Sequence, residues 1–167
     1  MYNELTAVDI KKMNDEIHYR STELRPKLSD DVKEAHSLGD TSENAEYRSA
    51  KRAFCRNESR IRFLQRMVKT AKVISTDSKP DEVGLFDKIV VEYEDTKDTE
   101  TLMISTTTRL DLEKGIISKE SPFGRAVLGH KVGDRIYVKV SPEYDYYVTI
   151  KSITKGKDDE SIPLNGY

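Results

Sequence analysis

The chain reads as an α+β protein in two parts, a long N-terminal antiparallel helical hairpin followed by a small antiparallel β-sheet domain with one short helix. Three observations lead there. Apolar residues recur with a helical period as far as Ile74, they gather in short β-rich runs beyond it, and a polar, proline-containing stretch separates the two habits. With 167 residues, 36% of them hydrophobic, the chain can build one ordinary domain or two small ones, which excludes a large multidomain enzyme.

The first arm carries apolar residues at Ile10, Met13, Ile17, Leu24, Leu28, Val32, Ala35 and Leu38, mostly three, four or seven apart. Pro26 interrupts this stripe, removes one backbone donor and predicts a kink between Leu24 and Leu28. At about 1.5 Å per residue the arm spans about 45 Å. The second arm repeats Tyr47, Phe54, Ile61 and Val68 every seven residues, with Ala50, Asn57, Leu64 and Ala71 offset by three. That is an a/d heptad seam, in which the polar Asn57 fixes register. Leu38-Gly39-Asp40-Thr41-Ser42 joins the arms: Gly39 suits the position just past a helix, and Asp40, Thr41 or Ser42 can cap the next one. A connection this short makes the two helices antiparallel neighbours.

The hairpin therefore occupies residues 1–75, with its tip at about 39–44, and a linker without apolar residues covers most of 76–83. The β domain follows over 84–154. Its strands are Ile89–Tyr93, Thr101–Ile104, Ile136–Val140 and Tyr146–Ile150. Ser121-Pro122-Phe123-Gly124-Arg125-Ala126-Val127-Leu128-Gly129 breaks the β pattern, with Ser at an N-cap, Pro in the first turn and Gly after the last, and predicts a short helix. The polar tail, 155–167, is expected to be flexible.

Lys and Arg number 28 against 30 Asp and Glu, a net charge of −2, so total charge names no partner. Its distribution is more telling. Arg48 to Lys72 holds nine basic residues and one acid, Glu58, a local charge of +8. Arg48, Arg52, Arg56 and Arg60 fall four apart and form one row along the second helix, where guanidinium groups could meet phosphates. Pairing with first-arm acids such as Glu16, Glu23 and Asp30 is the plainer reading of such a surface. Directly before this row the turn is acidic, with Asp40, Glu43 and Glu46. Asp40 and Glu43 fit an N-cap and third-position pair, favoured by the helix dipole. Capping leaves the length of the arm unexplained, and two carboxylates are too few for a tight Mg²⁺ site by themselves. A tip that completes another protein's metal site accounts for both facts.

The single cysteine, Cys55, cannot form an intramolecular disulfide and reads as a packing residue, and the histidines lack metal-ligand spacing. No apolar run approaches the roughly 18 residues needed to span a bilayer, and no signal sequence is visible, so a cytoplasmic protein without membrane contact is expected.

The phrase Leu38-Gly39-Asp40-Thr41-Ser42-Glu43-Asn44-Ala45-Glu46-Tyr47-Arg48-Ser49-Ala50-Lys51 closely resembles the tip signature of the bacterial GreA/GreB transcript cleavage factors. Ser121 to Asp134 is similar to that family's C-terminal motif, and Arg25-Pro26 and Ala71-Lys72-Val73-Ile74 fall where the family has similar residues. The likeness spans residues 5 to 153. It implies a coiled coil that enters the secondary channel of RNA polymerase and an FKBP-like second domain that docks at the channel rim, with Ser121, Pro122, Phe123 and Gly124 as docking candidates. On the same resemblance, Asp40 and Glu43 are the catalytic and metal-holding pair, sharing a Mg²⁺ ion with the polymerase so that the 3′ end of backtracked RNA is cut. Arg48, Arg52 and Arg56 would contact that RNA. The factor would then be a monomeric helper of the polymerase's own cleavage, not a nuclease, with no cofactor held stably alone.

Two stretches depart from the family pattern: Ile104-Ser105-Thr106-Thr107-Thr108-Arg109-Leu110-Asp111, and a tail longer than expected. Three other functions compete. A non-cleaving regulator or inhibitor in the same channel is opposed by the presence of both Asp40 and Glu43. A prolyl isomerase needs an aromatic-lined pocket, yet the chain has no Trp and only 4 Phe. A hairpin chaperone needs an apolar tip, and this one is polar. The tyrosines at 144, 146 and 147 serve cross-strand packing as readily as docking.

Overall fold

The computed structural model describes residues 3–39 and 44–166. Contacts divide them into two compact units, one of residues up to Asp9 together with Lys72–Gly166, the other Ile10–Ala71.

Helix α1 (Ala7–Tyr19) opens on a reciprocal cap made by residues of the first of these units: Asp9 N–H donates to Thr6 Oγ1 at 3.2 Å and Thr6 N–H to Asp9 Oδ2 at 2.9 Å. A wide π-type turn, Arg20–Leu24, carries α1 into α2 (Arg25–Ser37). The interruption expected at Leu24–Leu28 thus lies directly before Pro26. Arg25 N–H reaches back five residues to the Arg20 carbonyl, and a wide turn accommodates a following residue that has no N–H to donate. Asn57 of the opposite arm closes on this turn. Its Nδ2 donates to the Arg20 carbonyl at 3.3 Å and its Oδ1 accepts from Arg20 Nη1 at 3.2 Å, so the polar seam residue is satisfied and buried.

Leu38 ends α2 by donating to the Ala35 carbonyl, and Gly39 follows at φ +144°, where a side chain would be strained. The second arm is α3 (Ala45–Thr70). Its cap is Asn44, not Asp40, Thr41 or Ser42: Asn44 Oδ1 accepts from Tyr47 N–H at 3.0 Å while Nδ2 crosses to the Ala35 carbonyl at 2.8 Å. One amide side chain satisfies a free donor of α3 and a free acceptor of α2. Ile61 and Leu64 are buried, in keeping with the heptad seam, as is Met13 of α1; next to the seam Met67 is buried while the expected seam residue Val68 is only partly so, and Cys55, expected to pack, is exposed.

In the other unit, β1 (Glu4–Leu5) pairs in parallel with β2 (Lys72–Val73). This pairing joins residues almost seventy positions apart, and it draws both ends of the segment expected as hairpin, 1–75, into the β unit. The main sheet contains β3 (Lys88–Tyr93), β4 (Thr99–Ser105), β5 (Ile116–Ser118), β6 (Arg135–Ser141) and β7 (Tyr144–Thr154), in the order β5-β4-β3-β7-β6, antiparallel except for β4 with β5. Alternate residues Ile89 and Val91, Leu102 and Ile104, Ile136 and Val138, and Val148 and Ile150 line one face. The short helix α4 (Pro122–Val127) adds Phe123 and Val127 to that core.

The stretch expected as a linker and the tail expected to be flexible are both fastened. Lys155 Nζ, with three N–H donors to share, lies within hydrogen-bond distance of four acceptors: Ser78 Oγ at 2.7 Å, the carbonyls of Glu82 and Lys79 at 3.0 and 3.2 Å, and buried Asp87 at 2.5 Å. The four-carbon stem of Lys155 lets one ammonium serve several acceptors, an arrangement that a polar composition does not reveal.

Candidate functional site

Asp40 and Glu43, the expected catalytic and metal-holding pair, lie outside the described residues, as do Thr41 and Ser42. Their flanks are informative. Because Asn44 caps α3, the capping role that could explain Asp40 and Glu43 is already filled by another residue. Beside the turn, α2 and α3 leave a groove of about 450 Å³ whose lining includes Asp31, Glu34, Leu38 and Glu46 above a floor of Ala35, Ala50 and Ala53. The small side chains leave the space. Asp31, Glu34, Leu38 and Glu46 are all exposed.

The row of arginines divides in two. Arg48, Arg52 and Arg56 are exposed and make no ion pair among the described residues. Arg60, next in the row, is buried and grips Glu16 with two hydrogen bonds, Nε to Oε1 at 2.9 Å and Nη2 to Oε2 at 3.0 Å. Arg20 adds a third, at 2.7 Å. Burial pushes the Glu16 carboxyl upward, but the hydrogen bonds and charges of Arg60 and Arg20 outweigh it and hold its pKa below the usual glutamate value. In the other direction, Arg25 of the first arm forks onto Glu58 at 2.6 and 3.0 Å, which raises the arginine pKa further. The plain reading, basic residues paired with acids of the opposite arm, therefore holds for Arg60 and leaves three guanidiniums presented to solvent.

Ser121, Pro122, Phe123 and Gly124 build α4. Ser121 Oγ accepts from Gly124 N–H at 2.9 Å and donates to the Ser118 carbonyl at 2.7 Å. Pro122 occupies the first turn and is exposed. Phe123 and Gly124 are buried, and a Cβ on Gly124 would overlap the Ser118 carbonyl oxygen. Of the four docking candidates, then, Phe123 and Gly124 offer no side chain to a partner in this structure, because helix formation and core packing consume them.

Among the described residues no three His, Cys, Asp or Glu side chains gather where they could hold a metal ion, and no helix is long and apolar enough to cross a membrane. Tyr137, Tyr144 and Tyr147 are exposed near the β6–β7 turn, where Arg135 lies 3.7 Å above the Tyr147 ring. Sequence reasoning missed Arg109, whose side chain is fully buried. It is one cation in a Ser/Thr-rich loop, and periodicity gives it no signal.

A helical hairpin that presents three exposed arginines, followed by a five-stranded β unit, defines an α+β protein of two units. The chain belongs to the GreA/GreB transcription elongation factor family. Residues 3–73 match the family model described as "Transcription elongation factor, N-terminal", and residues 75–155 match "Transcription elongation factor, GreA/GreB, C-term". The chain is 35% identical over 154 residues to Transcription elongation factor GreA of Oenococcus oeni, covering 92% of this chain and 95% of the relative. It is 37% identical over 135 residues to that of Mesorhizobium japonicum, covering 80% and 86%. Similar solved structures include GreA factor homolog 1 (Gfh1) of Thermus thermophilus, with a TM-score of 0.41, 21% identity and coverage of 91% of this chain and 98% of that one. Another is the GreA/GreB elongation factor of Nitrosomonas europaea, with a TM-score of 0.41, 22% identity and coverage of 57% and 79%.

Proposed function

We propose that this protein binds RNA polymerase through the secondary channel and stimulates the polymerase's own cleavage of the 3′ end of backtracked RNA, rescuing arrested complexes. The observation that carries the reading is the division of labour on α3. Asn44 does the capping and Arg60 the cross-arm pairing, while Arg48, Arg52 and Arg56 make no ion pair among the described residues, which supports assigning them, with Asp40 and Glu43 of the adjoining turn, to a partner. Asp40 and Glu43 would supply two carboxylates to a Mg²⁺ ion shared with the polymerase, and such an ion lowers the pKa of a bound water and offsets charge on the phosphate. The three free arginines lie along α3 from Arg48 to Arg56, where extruded RNA phosphates would follow. The chain acts as a monomeric helper and not as a nuclease.

The test follows 3′ fragment release from a backtracked elongation complex with labelled RNA and Mg²⁺, comparing the native protein, Asp40→Asn with Glu43→Gln, and no factor. Release that needs both carboxylates is expected, and fragment length separates GreA-like from GreB-like behaviour. If the native protein binds polymerase while cleavage stays at the factor-free rate, the cleavage reading fails and a non-cleaving channel regulator takes its place.

A further inference from the structure

The two stretches that depart from the family pattern, Ile104–Asp111 and the long tail, meet at one buried side chain. Arg109 is fully buried, and a buried guanidinium needs both counter-charge and acceptors. Its Nε lies 2.6 Å from Asp9 Oδ1, Nη1 donates to the Asp159 carbonyl at 2.9 Å, and Nη2 reaches the Asp158 carboxylate and, at 3.4 Å, Thr6 Oγ1. The guanidinium also stacks 4.4 Å from the centre of the Phe86 ring. Thr6 and Asp9 are the reciprocal cap of α1, so the tail and the helix cap share one cation.

The path of the tail is built to receive it. Phe86, beneath Arg109, holds a left-handed backbone at φ +65°, a strained conformation for an aromatic residue. Gly156 passes so close that a Cβ would fall on the Phe86 carbonyl oxygen, and its N–H donates to Asp87 at 2.9 Å. Farther on, Asn165 clasps the same loop: its Oδ1 accepts from Leu110 N–H at 2.7 Å, its Nδ2 donates to the Thr107 carbonyl at 3.2 Å, and its own N–H donates to the Thr108 carbonyl at 2.8 Å.

We propose that residues 155–165 form a strap whose Asp158 completes the counter-charge of Arg109 and thereby holds the N-terminal cap of α1. Without the tail, Arg109 loses a carboxylate and a carbonyl at once. It then turns toward water and takes its contacts with Asp9 and Thr6 with it. Capture or proteolytic removal of the tail therefore loosens the first turn of the helix that leads into the hairpin, a regulatory connection between the two ends of the chain.

Native-state hydrogen exchange tests this on the full chain. In Asp158→Asn the amides of Thr6 and Asp9 should exchange about tenfold faster, the scale of one lost hydrogen bond to a charged group, while Val148 and Ile150 in the sheet keep their rates. Coupling is reciprocal, so Asp9→Asn should accelerate Gly156 and Asn165 by a similar factor. Acceleration confined to the tail in Asp158→Asn, or spread equally over every amide, overturns the strap. Should either variant fail to fold, the unmodified chain decides: in low urea the tail and the α1 cap should open in one event with a common urea dependence, and separate openings overturn the proposal.

Discussion

Near its base the hairpin buries Met13, Ile61, Leu64 and Met67, whereas from Asp15 to Phe54 Ala35 is the one buried hydrophobic residue among those described. The polar groups differ in the same sense. At the base, Arg60 and Asn57 are buried and bonded across to Glu16 and Arg20; toward the tip, Arg48, Arg52 and Arg56 are exposed, without an ion pair among the described residues, and a groove is lined by Asp31, Glu34 and Glu46. A coiled coil that served only stability would spread its large seam residues along its length. This one concentrates them at its base, and toward the tip it leaves small residues and exposed charges. The proposed function would use the half with the least packing to lose.

The largest effect that sharpens this contrast is a core truncation. Leu64→Ala should cost about 2–5 kcal/mol in urea unfolding followed by circular dichroism, while Leu38→Ala, 66% exposed, should stay within about 0.5 kcal/mol. Equal losses would abolish the distinction between base and tip. Next comes Arg60→Ala, which leaves Glu16 half-buried with Arg20 alone and should cost about 2–3 kcal/mol. Because the Glu16 pKa is lowered in the folded state, its contribution is present above the usual value of 4.5 and fades as pH falls through the folded value. Arg60→Ala should therefore lose less stability than the native chain on titration below about pH 4.5, and parallel pH profiles would remove Glu16 from the account.

A smaller effect is expected at the tip cap. Asn44→Ala removes the bonds to Tyr47 and Ala35 and should cost about 1 kcal/mol, visible as faster hydrogen exchange in the first turn of α3 with no change around Leu64. Smallest for stability are Arg48→Ala, Arg52→Ala and Arg56→Ala, each within about 0.5 kcal/mol. In fluorescence anisotropy with single-stranded RNA, each should lower the slope of log affinity against log salt by about 0.7. Unchanged slopes would return these residues to ordinary surface.

Local rules accounted for much of the fold. The Ser-Pro start of α4 and the strands at the β-rich runs Ile89–Tyr93 and Thr101–Ile104 appear as expected, because a capping hydroxyl and β-propensity act over a few residues. The same rules misplaced the cap of α3, since Asp40, Thr41, Ser42 and Asn44 can all cap and only the position of Ala35 in the opposite arm selects Asn44. The arginine row was legible as a row. Which member is buried was not, because Glu16 lies forty-four residues from Arg60 and helical spacing carries no information about the facing helix.

By itself the sequence determined the two habits of the chain, the acidic turn before a basic arm, and the phrases that place it in its family, all of them properties of neighbouring residues. Only the tertiary structure decided that Lys72–Val73 pairs with Glu4–Leu5, that Lys155 fastens the stretch around Ser78, and that the tail closes on Arg109. Each is a polar contact between residues far apart in the chain, with separations of 77 for Lys155 to Ser78 and 49 for Arg109 to Asp158. For Arg109 burial supplies the reason, since a buried charge must find partners wherever the fold brings them; the other two follow from which segments the fold lays side by side.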